Sequence, residues 1–150
     1  MKARALAAYL MLTIHGSAAD GSRVEYVGGT VSGLPERTGG RVRTTDGEFF
    51  VLDAHHNRVT IPYSRINLLE YGQKVDRRYL VAVLVSPLFM LSKARQHYLT
   101  VGYTDDDGKQ QALVLKVDKG DIRTVLVTLE ARTGLRVQFQ DEEARKAGKG

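Results

Sequence analysis

The sequence predicts a mainly β domain of the α+β class, in which antiparallel strands form a barrel or sandwich capped by one amphipathic helix. Short runs of β-branched and aromatic residues alternate with Gly, Asp and Asn turn residues along most of the chain. Only one segment, at about residues 119–133, repeats its apolar residues at helical spacing. The length of 150 residues, 43% of them hydrophobic, suits a single domain with a buried core.

The first nineteen residues are expected to be a secretory signal peptide that is not part of the domain. Lys2 and Arg4 precede an apolar stretch at residues 5–14, and small residues follow at positions 16–19. A buried helix or a membrane anchor is the alternative, although this stretch is shorter than the roughly 17–25 apolar residues of a transmembrane helix. Cleavage would place a domain of residues 20–139, with a charged flexible tail at 140–150, in the periplasm or cell envelope.

Composition excludes several kinds of chemistry. The chain has no cysteine, so it can form no disulfide, no thiolate metal site and no cysteine nucleophile. Loss of Lys2 and Arg4 with the signal peptide would lower the formal net charge from +5 to +3. A basic cytosolic protein would suggest a nucleic-acid partner, whereas a mildly basic exported protein does not. We therefore predict no nucleic-acid partner.

Four strands are predicted in the first half of the domain, at residues 24–31, 41–45, 48–53 and 58–63, with a loop at 32–40. Gly28 and Gly29 interrupt the first strand, which indicates a bulge or a sharp bend. Asp46 and Gly47 join the second strand to the third, and a two-residue Asp-Gly link between β-prone runs is a strong hairpin signal. A turn at residues 54–57 leads into the fourth strand.

In the second half of the domain, two strands are predicted at residues 97–104 and 110–117. Residues 66–71 are predicted to form either a further strand or a helical turn. A turn at Asp105 to Gly108 connects the last two strands as a hairpin. Apolar residues then fall at i, i+3, i+4 and i+7, namely Ile122, Val125, Leu126 and Leu129. Asp118 is the predicted N-cap and Gly134 the predicted left-handed stop of this helix. Residues 135–139 alternate as a short final strand.

The most unusual segment is an uncharged run of fourteen residues at positions 79–92. It is too short for a transmembrane helix, and Pro87 bars a straight helix or a central strand. Between residues 65 and 98 there are six cations against two acids, so positive charge borders this run. The run is either a buried hairpin with basic ends or a surface that contacts lipid or protein. The predicted contact residues are Arg77, Arg78, Leu88, Phe89, Lys93 and Arg95.

No catalytic, metal or cofactor site is predicted. His55 and His56 are adjacent in a predicted turn, where they are expected to be solvated rather than to chelate a metal. The turn that begins at Asp105 lacks the glutamate that a calcium loop needs at its twelfth position, where Lys116 stands. His97 opens a strand without a recognisable nucleophile motif around it. A small envelope hydrolase with dispersed site residues around His97 is the alternative function.

Several segments resemble pleckstrin-homology-like (PH-like) domains of the bacterial and GRAM-type kind. They are the glycine-containing strand at residues 27–31, "FFVL" at 49–52, "IPYSRI" at 61–66, the stretch at 92–105 and "LEARTG" at 129–134. The resemblance implies about seven strands followed by one helix, as a scaffold that binds phosphoinositides, peptides or other domains without catalysis. The chain departs from it in the apolar insertion before the sixth strand and in the strand after the helix.

In this family the lipid-binding basic loop lies between the first two strands, where the chain offers only Arg37 and Arg41. Phosphoinositide binding is therefore not expected. The sequence predicts a non-catalytic binding or scaffolding module of the bacterial cell envelope that contacts a membrane surface or a protein partner.

Overall fold

The computed structural model describes residues 21–74 and 95–149. These ranges hold one open sheet of eight strands in the order β4-β3-β2-β1-β7-β6-β5-β8, together with two α-helices and a short 3₁₀ turn. The strands are β1 (Ser22–Gly29), β2 (Thr38–Arg43), β3 (Phe49–Ala54), β4 (Asn57–Pro62), β5 (Ile66–Gly72), β6 (Tyr98–Thr104), β7 (Gln110–Val117) and β8 (Gln138–Phe139). The helices are α1 (Ile122–Thr133) and α2 (Glu142–Lys149), and the 3₁₀ turn is Tyr63–Arg65. The predicted mainly β, α+β class is confirmed.

The predicted signal peptide and the whole of the apolar run at residues 79–92 lie outside the described residues. Neighbouring strands are antiparallel except for β5 and β8, which are parallel. Side chains alternate between the two faces of the sheet along each strand, and one of these faces packs in the core. Fully buried side chains there include Tyr26, Phe50, Leu52, Leu99 and Leu115.

The predicted bulge in β1 is confirmed. The register of β1 against β7 shifts between Tyr26 and Gly28. At Gly29, which has a φ of 155°, an added Cβ would lie 2.9 Å from the Cα of Leu113. The bend therefore brings the two backbones closer than a side chain would allow.

The predicted two-residue link at Asp46 and Gly47 is wrong, because β2 ends at Arg43 and β3 begins at Phe49. The Asp46 carboxylate accepts hydrogen bonds from the backbone N–H groups of Glu48 (2.7 Å) and Phe49 (2.8 Å). These bonds lower the pKa of Asp46 and hold a longer connection. The tight two-residue turn is instead the one between β3 and β4, where His55 has a φ of 52°.

The second half of the sheet follows the prediction closely. Residues 66–71 are a strand rather than a helical turn, since β5 pairs with β6 along its length. In the turn between β6 and β7, the Asp105 carboxylate accepts the N–H groups of Asp107 (3.0 Å) and Lys109 (2.8 Å). Gly108 takes a positive φ of 76° there. The predicted hairpin of β6 and β7 is confirmed. The turn that joins its strands is held by hydrogen bonds and a glycine within the turn itself.

Helix α1 buries the predicted stripe of Ile122, Val125, Leu126 and Leu129. The predicted start is three residues early. Asp118 does not cap the helix, because its carboxylate pairs with Arg23 (3.4 Å), and Asp121 is the residue before the first helical turn. The predicted stop is confirmed: Gly134 has a φ of 73°, and its N–H donates to the carbonyl of Glu130 (2.9 Å).

The prediction of a charged flexible tail at residues 140–150 is wrong for the part that is described. Helix α2 occupies Glu142–Lys149 and begins with the Asp141 carboxylate accepting the N–H of Ala144 (2.7 Å). Ala144 is 0% exposed, and an added Cβ at Gly148 would lie 2.7 Å from the Phe139 ring. The helix therefore packs on the sheet edge through small residues.

Candidate functional site

A groove of about 730 Å³ lies where β5 ends, β6 begins and α1 starts. Side chains from four parts of the chain line it, including Gln73, Arg95, His97, Lys119, Arg123 and Ala147. Gln73 and Arg95 stand at its rim, on the two sides of the segment at residues 75–94. The backbone N–H of Gln96 donates to the carbonyl of Gln73 (3.4 Å), so described residues on the two sides of that segment lie close together beside the groove.

The groove is basic. Its lining contains three cations and a histidine, and no acidic residue from the described part of the chain. Arg95 pairs with Glu143 of α2 (3.0 Å). Within the same ranges Lys119 and Arg123 form no ion pair, so two positive charges in the groove are uncompensated.

His97 is held by a hydrogen bond to a buried tyrosine. Its Nδ1 lies 2.6 Å from the hydroxyl of Tyr71, and the two rings stack with centroids 5.9 Å apart. Burial raises the pKa of Tyr71 to about 12, so the phenol is protonated near pH 7, and the direction of its hydrogen bond with Nδ1 depends on the tautomer of His97. Burial, and then the charge of Lys119, hold the pKa of His97 below its ordinary value. His97 is therefore mostly neutral near pH 7.

These contacts lend little support to a hydrolase site at His97. In the described residues, the hydroxyl that it meets is a buried phenol rather than a serine, and no carboxylate lies within hydrogen-bonding distance of its ring. A general base needs a nucleophile or a water beside it and an acid that orients it. The observed pair instead fixes the orientation of the imidazole at the groove.

Of the predicted contact residues, the structure describes only Arg95, which lies in the groove and is exposed. Arg77, Arg78, Leu88, Phe89 and Lys93 lie outside the described residues. The sequence analysis missed Lys119 and Arg123, which come from a distant part of the chain. In the sequence these two residues are only a pair of cations near the start of the predicted helix. Such pairs are common on the exposed surface of any protein.

The other sequence candidates do not form a site. His55 and His56 lie in an exposed turn with their ring centroids 3.9 Å apart. Across residues 21–74 and 95–149, no group of three or more His, Asp or Glu side chains is placed to hold a metal ion.

A second cavity, of about 610 Å³, lies between the β2–β3 loop and the C-terminal end of α1. Its cations are already engaged: Arg65 pairs with Asp106, and Arg132 donates to the carbonyl of Thr45 (3.3 Å). The buried hydroxyl of Tyr63 has no hydrogen-bond partner in the part of the chain that is described, but less than 1 Å² of that atom is exposed to solvent. This cavity is therefore a weaker candidate than the groove at His97.

No protein-family model and no curated protein sequence matches this chain. Among the described residues, no helix has the length and apolar character needed to cross a membrane.

Acidification is expected to destabilise the fold through His97. Because its folded-state pKa lies below the ordinary 6.5, the unfolded chain takes up this proton first as the pH falls. The free energy of unfolding should therefore be greatest above pH 6.5 and should decline as the pH falls below it. Urea denaturation between pH 7.5 and pH 5 measures this slope.

The H97Q variant should flatten that part of the pH profile, since glutamine does not titrate. K119Q is the matched control and should keep most of the slope, because burial is the larger cause of the shift. If H97Q and the wild type lose stability in parallel, another group is responsible.

Proposed function

We propose that this chain is a non-catalytic binding module of the bacterial cell envelope that docks on an anionic membrane surface. The observation that carries this proposal is the position of Arg95, Lys119 and Arg123, which share one groove. Arg95 also belongs, in sequence, to the cations that border the apolar run at residues 79–92. Positive charge beside apolar residues favours anionic bilayers.

A PH-like scaffold is part of the proposal. Its support is the element order, in which seven antiparallel strands precede helix α1. Strand β8 and helix α2 are additions to that order, and α2 contributes Ala147 to the groove. Location in the envelope is proposed from the signal-peptide pattern at residues 1–19.

The mode of contact follows from the two parts of the surface. Cations near an anionic leaflet each contribute about 1 kcal/mol, and an apolar side chain such as Leu88 or Phe89 adds area buried in the interface. A protein partner with an acidic, apolar patch would use the same residues. The membrane is favoured because the charge is spread over several cations around one apolar run.

Vesicle flotation tests the proposal. The mature protein should float with vesicles that contain phosphatidylglycerol and remain at the bottom with pure phosphatidylcholine. The R77Q/R78Q/K93Q variant should partition roughly a hundredfold less, as expected for the loss of about 3 kcal/mol. The control R58Q/K109Q/R136Q removes the same charge from residues that do not line the groove, and it should float like the wild type.

Equal flotation of the two triple variants would show that only net charge matters and would contradict the proposed surface. If the wild-type protein does not float at all, the membrane is excluded as the occupant. A protein partner would then be the remaining candidate.

A further inference from the structure

We infer that the groove at His97 is a discrete binding site for a phosphate group, either on a lipid headgroup or free in solution. The lipid form of this inference rests on the proposed function, whereas binding of free phosphate does not. The inference concerns one stereochemically defined site rather than general attraction to a charged surface.

The first argument is convergence. Arg95 precedes β6, Lys119 lies between β7 and α1, and Arg123 is in the first turn of α1. The fold brings two parts of the chain that are distant in sequence, the segment before β6 and the start of α1, to the wall of one concave space. A cleft lined by one sign of charge strengthens the potential inside it beyond that of the same charges on a flat surface.

The second argument is that nearby acids are engaged elsewhere. Asp118 pairs with Arg23 (3.4 Å), and the Asp121 carboxylate accepts the backbone N–H of Arg23 (3.2 Å). Among the acids of residues 21–74 and 95–149, only Glu143 forms an ion pair with a groove cation, and its pair with Arg95 is exposed on both sides. An exposed ion pair is worth about 0–1 kcal/mol, so an incoming dianion can replace Glu143 at little cost.

The third argument is the donor geometry of His97. Nδ1 is engaged with the hydroxyl of Tyr71, so Nε2 is the ring nitrogen left for a ligand. An anion beside Nε2 favours the tautomer in which Tyr71 donates to Nδ1 and Nε2 carries the proton. A guanidinium offers paired N–H donors that match phosphate oxygens, and an ammonium adds a point charge. Arg123, Lys119 and Nε2–H together suit an oxyanion with several acceptor oxygens, which a phosphate has.

Titration of the full-length mature protein with inorganic phosphate, followed by ¹H–¹⁵N NMR, tests the inference. Saturable shifts are expected at the amides of Gln73, His97, Gly120 and Arg123. The bound dianion should also raise the pKa of His97, which the imidazole proton resonances report. K119Q/R123Q should bind phosphate at least about a hundredfold more weakly, since it removes two charge-assisted hydrogen bonds.

K109Q/R136Q removes the same net charge outside the groove and should bind phosphate like the wild type. A parallel titration with vesicles that contain phosphatidic acid, compared with the titration with inorganic phosphate, separates the two sources of phosphate. Shifts that are absent, or equally weakened in the two double variants, would overturn the inference even if flotation succeeds. Saturable phosphate binding without flotation would leave the site in place and remove the membrane from the proposed function.

Discussion

Replacing Leu129 by Ala is expected to lower the free energy of unfolding by about 2–5 kcal/mol. Leu129 is 0% exposed and belongs to the buried stripe that joins α1 to the core. Truncation leaves a cavity among neighbours that are themselves packed and relax only partly. Alanine is a good helix former, so the loss would report packing rather than helix propensity. Urea denaturation measures the change.

Val127 provides the control on the same helix, because its side chain is 64% exposed. V127A should change the free energy of unfolding by less than about 0.5 kcal/mol. If L129A and V127A lower the free energy of unfolding by the same amount, the Leu129 face of α1 is not packed against the core as described. A loss in V127A alone would place the opposite face of the helix in contact with another part of the protein.

Replacing Gly40 by Ala is expected to destabilise the protein by about 1–3 kcal/mol. An added Cβ would overlap the carbonyl oxygen of Asp53 and lie 3.0 Å from the Cα of Ala54. Both are backbone atoms of β3, and Gly40 pairs directly with Ala54. The clash can be relieved only by separating β2 from β3, which disturbs hydrogen bonds on both sides. Thermal unfolding should show a lower midpoint.

Gly39 is the adjacent control in β2, since a Cβ there would meet nothing within 4 Å. G39A should be neutral or stabilise by about 0.4–1 kcal/mol, because alanine restricts the unfolded chain. Equal losses at both positions would mean that any side chain in this part of β2 is unfavourable. The close approach of β3 would then not be the cause.

Elements whose chemistry is local were predictable from the sequence. The β6–β7 hairpin depends on Asp105 and Gly108 within one turn, and the helix stop depends on Gly134 alone. The prediction failed at Asp46, where the side chain captures two amides and makes the connection longer. Asp and Gly in sequence do not distinguish that loop from a two-residue turn.

Helix α2 was missed for a different reason. Its buried face consists of Ala144 and Gly148, residues too small to stand out in a charged stretch. Their burial depends on Phe139, Tyr71 and Leu126, which reach that position only through the tertiary fold. The periodicity of apolar residues reveals a helix whose buried side chains are large. It does not reveal a helix that packs through small residues such as alanine and glycine.

The candidate groove was predictable only in part. The density of cations near the apolar run pointed to Arg95, because that signal is read along the chain. Lys119 and Arg123 join Arg95 only after β5 and β6 pair and α1 packs across the sheet. A single sequence contains no pattern that shows which distant residues will lie close together in the folded protein.

The pairing of β5 with β6 has an evolutionary consequence. Gly72 faces Tyr98, and the next connection, from Gln96 to Gln73, closes the ladder where residues 75–94 depart. Strands β5 and β6 are therefore held together by their own backbone hydrogen bonds. Selection can therefore act on the pairing of β5 with β6 through the residues of these two strands, separately from the sequence at residues 75–94.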